Sequence, residues 1–176
     1  MKEEYRRPGL SLEELHGLTE HDPWKKETDL KKEQQKAEQF QKRLGESRIA
    51  LLTSAGLYLK RSQPPFDVER ERTHPEWGDP TWRAIPASTQ AAGIAVAHLH
   101  INDEDLLADP EIALPARLLE RLASEGEGVI GGAVAEHVSV MGYQERSLDD
   151  WRSTTAPQLV AHLNGQGADG LILAPV

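Results

Sequence analysis

Ile49-Ala50-Leu51-Leu52-Thr53-Ser54-Ala55-Gly56 is the stretch on which the fold turns. Its first five residues carry no charge and do not alternate polar with apolar. A strand with one wet face would alternate, so this run suits a strand covered on both faces, as in a parallel sheet flanked by helices. Ser54-Ala55-Gly56 then supplies small residues for a turn.

Working outward toward the C-terminus, the same signal returns three times. Gly93–Ile101 reads as a second strand, Val129–Val140 contains a third, and Leu171–Leu173 is a fourth. Two helical patterns lie between them. Leu114–Ser124 carries Pro115 in its first turn, where a missing N–H does no harm, with Leu114, Leu118, Leu119 and Leu122 as its apolar side and Gly126 as its stop. Thr155–Leu163 repeats the device with Pro157 in its first turn, Leu159, Val160 and Leu163 inward, and Asn164-Gly165 and Gly167 as terminators. Strands alternating with helices predict an α/β, Rossmann-like three-layer domain with a mainly parallel sheet over residues 47–176. Residues 60–90, punctuated by Gln63-Pro64-Pro65, His74-Pro75, Gly78-Asp79-Pro80 and Pro86, read as one long irregular loop, a length usually kept for function or disorder.

Outward in the other direction the composition changes. Residues 1–46 read as a charged helical N-terminal segment. Leu10–Leu18 has a helix start signal in Ser11 with Glu13 and Glu14. Glu27–Leu44 spaces Ala37, Phe40 and Leu44 along one stripe, with Gly45 as its stop. A solvated helix and a partner-binding arm are the two readings of that segment.

The 176 residues carry a formal net charge of −9, with 38% hydrophobic and 5% aromatic residues. An acidic chain without a basic face argues against nucleic acid as a partner. No apolar run reaches membrane-spanning length, and the charged N-terminus has no apolar signal core, so no membrane partner and a cytoplasmic location are expected. Cysteine is absent from the sequence, which excludes disulfides, thiolate metal sites and thiol catalysis by these residues.

Ligands of open parallel sheets bind beyond the carboxyl ends of the strands. Those ends offer Ser54 and Gly56, then His98 and His100, then His137 with Met141, and finally Val176. His98 and His100, two apart, point to the same face if they lie on a strand. With His137 and an acid they are the residue types of a zinc or iron site, and the alternative is that they hydrogen-bond backbone or acids at the site's edge. The Gly56 turn is either an ordinary strand-to-helix turn or one that touches a ligand. It is not a dinucleotide fingerprint, because G-x-G-x-x-G is missing. Ser54 lacks the G-x-S-x-G context of a hydrolase nucleophile. Arg83, in the long loop, is either a bidentate carboxylate clamp or a surface arginine.

Taken in order, several of these pieces resemble one family. They are Ile49-Ala-Leu-Leu-Thr-Ser-Ala-Gly-Leu, Gln63-Pro-Pro-Phe-Asp, Gly78-Asp-Pro-Thr-Trp-Arg-Ala-Ile-Pro86, His98-Leu-His-Ile, the Leu114-Pro-Ala-Arg-Leu-Leu run, Glu136-His137-Val-Ser-Val-Met-Gly142 and Ala168-Asp-Gly-Leu-Ile-Leu-Ala-Pro-Val176. Residues 48–176 resemble the selenoprotein B subunits of glycine, sarcosine, betaine and D-proline reductases. The resemblance implies an oxidoreductase component that cleaves a C–N bond reductively. It also implies a partner subunit whose pyruvoyl group holds the substrate amine, and a thioredoxin-like electron donor. In the family a selenocysteine or cysteine directly follows a segment like Ala174-Pro175-Val176, in a U-x-x-C motif. The resemblance therefore sets the catalytic residue immediately after Val176, while the strand-end reading and the long loop offer Ser54, Gly56, Arg83, His98, His100, His137 and Met141 as the residues lining the site. It departs from the family at Asp109-Pro110-Glu111 and across Glu69–Trp77. A UGA codon misread as a stop explains the missing motif; the alternative is a non-catalytic binding or regulatory subunit without the redox centre.

Overall fold

The uncharged run around Leu51 becomes the central strand of the sheet. In the computed structural model, which describes residues 42–125 and 128–176, strand β1 spans Arg48–Thr53. It is flanked on one side by β7 (Gly170–Ala174), parallel and in register from Ile49↔Gly170 to Thr53↔Ala174. On its other side lie two parallel strands in succession, β5 (Gly132–Ala133) against Arg48 and Ile49, and β6 (Glu136–Val140) against Leu52 and Thr53. Strand β3 (Trp82–Pro86) closes that side antiparallel to β6. Proline has no N–H to offer a further neighbour, so Pro86 suits an edge. The remaining strands, β2 (Leu57–Leu59) and β4 (Ile94–Val96), pair antiparallel in a separate small sheet.

Helices cover both faces, which is why β1 contains no charge after Arg48. The helices are α1 (Val68–Thr73), α2 (Glu104–Ala108), α3 (Ala116–Glu125) and α4 (Ala156–Gly165). Ile49 and Leu51 pack with Ile85, Leu114, Ala116 and Leu119 in one cluster. Ala50 packs with Val138, Val140, Leu159 and Leu163 in the other. Burying a leucine such as Leu51, 1% exposed, contributes on the order of 2 kcal/mol. The architecture is mixed α/β with a mostly parallel sheet, and no helix among the described residues is long and apolar enough to cross a membrane.

Several sequence expectations are corrected. The stretch read as a loop over residues 60–90 contains α1 and the edge strand β3; the turn formers at Gly78-Asp79-Pro80 hid a strand that starts two residues later. The strand expected over Gly93–Ile101 shrinks to β4 and lies outside the main sheet. On α3 the inward stripe is Ala116, Leu119 and Ala123, whereas Leu118 and Leu122 are exposed. On α4 Val160 likewise faces solvent, while Leu159 and Leu163 are buried. Two small residues in the α3 stripe let that helix lie close to the sheet, an arrangement a count of leucines does not reveal.

Helix α4 continues a run that begins with a 3-10 turn at Glu145–Ser147, passes through one α-turn at Leu148–Asp150, and widens to a π-turn at Trp151–Thr155. Pro157 follows that widening and has no N–H to return to the Ser153 carbonyl, so the π-turn is where the run absorbs it. At the start of the described chain, Arg43 is extended and Leu44–Glu46 is a 3-10 turn, so the predicted helix does not run through to Leu44. Gly45 is no helix stop. A Cβ there would lie 2.3 Å from the Gly128 carbonyl oxygen, so it is a point of close backbone approach. Residues 42–46 belong to the compact unit Lys42–Val176. The helices expected over Leu10–Leu18 and most of Glu27–Leu44, and the Gly126 stop, lie outside the described residues.

Candidate functional site

Three parallel strands stop at the same edge of the sheet, and an open cleft of about 520 Å³ lies there. From the end of β1 come Leu52 and Ser54. From beyond β6 come Gly142 and Tyr143. From β7 and its continuation come Leu173, Ala174, Pro175 and Val176, and His98 enters from the segment after β4. Backbone groups brace the edge: Ser54 N–H donates to the Ala174 carbonyl at 3.3 Å, and Gly56 N–H to the Val140 carbonyl at 3.1 Å. The Ser54 hydroxyl accepts from Val176 N–H at 2.9 Å and donates to the Val176 carbonyl at 3.4 Å. Its role is to hold the segment after β7 against β1, so it is spoken for as a nucleophile.

Below the cleft lies a tight floor. Gly56 has φ +65°, and a Cβ on it would stand 2.3 Å from the Ala97 carbonyl oxygen and 2.8 Å from the Met141 sulfur. Met141 is 2% exposed and packs with Phe66 and Ala97. Gly56 and Met141 therefore support the site from beneath rather than line it. A loop is latched to this floor. Gln144 donates through Nε2 to the carbonyls of Asp79 at 2.9 Å and Met141 at 3.0 Å. Gly78 presses on the Tyr143 carbonyl so closely that an added Cβ would fall 1.6 Å from its oxygen.

His98 and His100 are not strand neighbours sharing a face, because β4 ends at Val96. Their rings stand 6.0 Å apart, nearly perpendicular. His100 N–H donates to His98 Nδ1 at 3.1 Å. The His100 ring turns away from the cleft and meets Glu71, with Nε2 3.2 Å from Oε1. Glu71 is only 3% exposed, and its second oxygen has no partner. Burial, with His100 close by, lowers the His98 pKa.

Arg83 and His137 leave the site altogether. Arg83 donates to the carbonyls of Pro64 at 3.0 Å, Pro65 at 3.2 Å and Trp82 at 2.9 Å, and to the Thr81 hydroxyl at 2.8 Å. Its guanidinium also lies over the Phe66 ring, 4.2 Å from the centroid. Nε and one terminal nitrogen hold the Pro64-Pro65 turn and the other terminal nitrogen ties back to Thr81 and Trp82, so the fork is engaged in bracing its own loop rather than facing the cleft. His137 is fully buried within the sheet. Between β5 and β6 the chain jogs so that the Ala135 carbonyl serves Ala87 N–H, and Leu51 N–H in β1 is met instead by His137 Nδ1 at 3.3 Å. Burial pushes the His137 pKa down to about 4, partly offset by Glu111, and its Nε2 has no partner. His98, His100 and His137 thus form no metal set, and among the described residues no three His, Cys, Asp or Glu side chains converge.

Sequence reasoning brought Ser54, His98 and Val176 to the cleft but missed Tyr143 and Glu71. Tyr143 directly follows Met141-Gly142 at a strand end, a signal that was available. Glu71 sits in Val68-Glu-Arg-Glu-Arg, which reads as a solvated charge run. Comparison with family models, curated proteins and solved structures found no match for the chain.

Proposed function

We propose that this is a Rossmann-like oxidoreductase component of the selenoprotein B type, whose selenolate or thiolate follows Val176 and acts on a small amine-derived substrate in the cleft. The observation that supports the reading is the pairing of Ser54 with Val176. Two hydrogen bonds fix the segment after β7 on the cleft wall, so a chalcogen one residue further on would meet a ligand lying beyond the strand ends. A chalcogen there must be ionised near neutral pH to attack, and strand-end positions near donors favour that. The pyruvoyl group implied by the resemblance would supply, on a partner subunit, the carbonyl that holds the substrate amine. On this chain His98 is the side chain suited to meet it, as a neutral donor beside apolar walls.

The test compares the 176-residue chain with one carrying U-x-x-C, or C-x-x-C, after Val176. The reading expects the extended form to be alkylated by iodoacetamide near pH 7 and to accept electrons from a dithiol donor. The 176-residue chain, having no cysteine, does neither. An extended form inert in both assays overturns the reading and leaves the second one, a binding subunit that keeps the cleft without redox chemistry.

A further inference from the structure

The group that recognises a ligand in the cleft can be read from how His98 is held. A backbone N–H can only donate, so the Nδ1 that receives the His100 amide, 3.1 Å away, carries a lone pair. The neutral ring then bears its proton on Nε2. Among the described residues no acceptor meets that Nε2–H. The segment cannot easily rotate to change this, because the His100 ring is anchored at its far side by Glu71, a carboxylate 97% buried as judged from its 3% exposure. Burial of an acid without compensation is costly, so the Glu71–His100 contact is not readily given up.

The other walls are mostly apolar. Leu52, Leu173, Ala174, Pro175 and the Val176 side chain line the cleft with Tyr143 beside them, the Ser54 hydroxyl is occupied by Val176, and none of the described lining residues is Lys or Arg. A carboxylate ligand would lose its hydration with no cation to replace it, whereas a neutral carbonyl or amide needs only one donor.

We propose that the cleft binds an uncharged, largely aliphatic ligand through a single carbonyl-type acceptor that takes the His98 Nε2–H, with Glu71 acting through His100 as a positioning residue. This rests on the cleft being the substrate site of the proposed function, and it narrows the substrate portion bound here to one whose charge is absent or held elsewhere.

The test needs no redox chemistry, so its failure is separable from failure of the reductase reading. Side-chain ¹⁵N NMR of the full chain reports the His98 tautomer, and titration with isobutyramide, isobutyrate and isobutylamine compares neutral, anionic and cationic probes of one shape. The expected result is an Nε2–H ring whose resonance moves with isobutyramide and at least about fivefold less readily with either ion, the scale of one hydrogen bond. His98→Leu loses that binding and His98→Gln, which keeps a donor, retains most of it. Glu71→Ala mixes the His98 tautomers and Glu71→Gln, which keeps an acceptor for His100, does not. An Nδ1–H tautomer, equal or tighter binding of isobutyrate, or no response to any probe overturns the proposal.

Discussion

Leu51 in the central strand gives its N–H not to a carbonyl but to the imidazole of His137, 3.3 Å away. The sheet is continued across the β5–β6 jog by a side chain, and that side chain must be neutral to accept.

Stability should therefore fall as the solution is acidified through the range between the ordinary histidine value, near 6.5, and about 4. In that window the unfolded chain binds a proton the folded one refuses, so unfolding is favoured as pH drops. Above the window the contribution is fully present, and below it the loss levels off at on the order of 3 kcal/mol. Denaturant unfolding across pH checks this. His137→Leu should lose this pH-dependent component, and at neutral pH it should be destabilised by about 2 kcal/mol because Leu51 N–H is left unpaired. A variant with the parental pH profile would show that His137 does not titrate this way.

Gly56→Ala should destabilise the domain by about 2–4 kcal/mol, combining the penalty of a positive φ with overlap against Ala97. Thermal unfolding measures it. A loss below about 1 kcal/mol, what an ordinary unstrained site shows, would mean that the floor yields.

Arg83→Lys should cost about 1–3 kcal/mol, because an ammonium cannot serve Pro64, Pro65 and Thr81 at once. Cleavage by a protease near residues 61–66 should accelerate, while isobutyramide binding in the cleft stays the same. Loss of ligand binding with stability unchanged would return Arg83 to the site.

Strand β7 presents Leu171, Ile172 and Leu173 to solvent, at 43%, 49% and 64% exposure, and among the described residues it pairs with β1 alone. Open apolar edges of this kind template association. Leu173→Lys should lower light scattering at matched concentration and shift stability by no more than about 0.5 kcal/mol. Unchanged scattering would show that this edge is not where copies adhere.

The sequence was most readable where burial was complete. The uncharged run Ile49–Thr53 announced a central strand, and the small residues after it announced the cleft edge. Exposed and irregular parts were less readable. Trp82–Pro86 contains proline and follows a turn cluster, yet an edge strand tolerates both. His137 looked like a strand-end ligand because sequence shows neither the jog after Ala133 nor the unpaired N–H of Leu51 that it serves. Arg83 looked free because the carbonyls it binds belong to residues whose placement depends on the fold itself. His98 was found by its position relative to a strand, although the strand proved shorter than expected.

The contact between Gly78 and the Tyr143 carbonyl, tied off by Gln144, makes the cleft adjustable from a distance. Any lengthening or stiffening of the 74–81 segment pushes first on the backbone that carries Gly142 and Tyr143, one wall of the cleft. Ligand preference can then diverge between otherwise similar chains through changes in a surface loop, with every residue that touches the ligand left as it was.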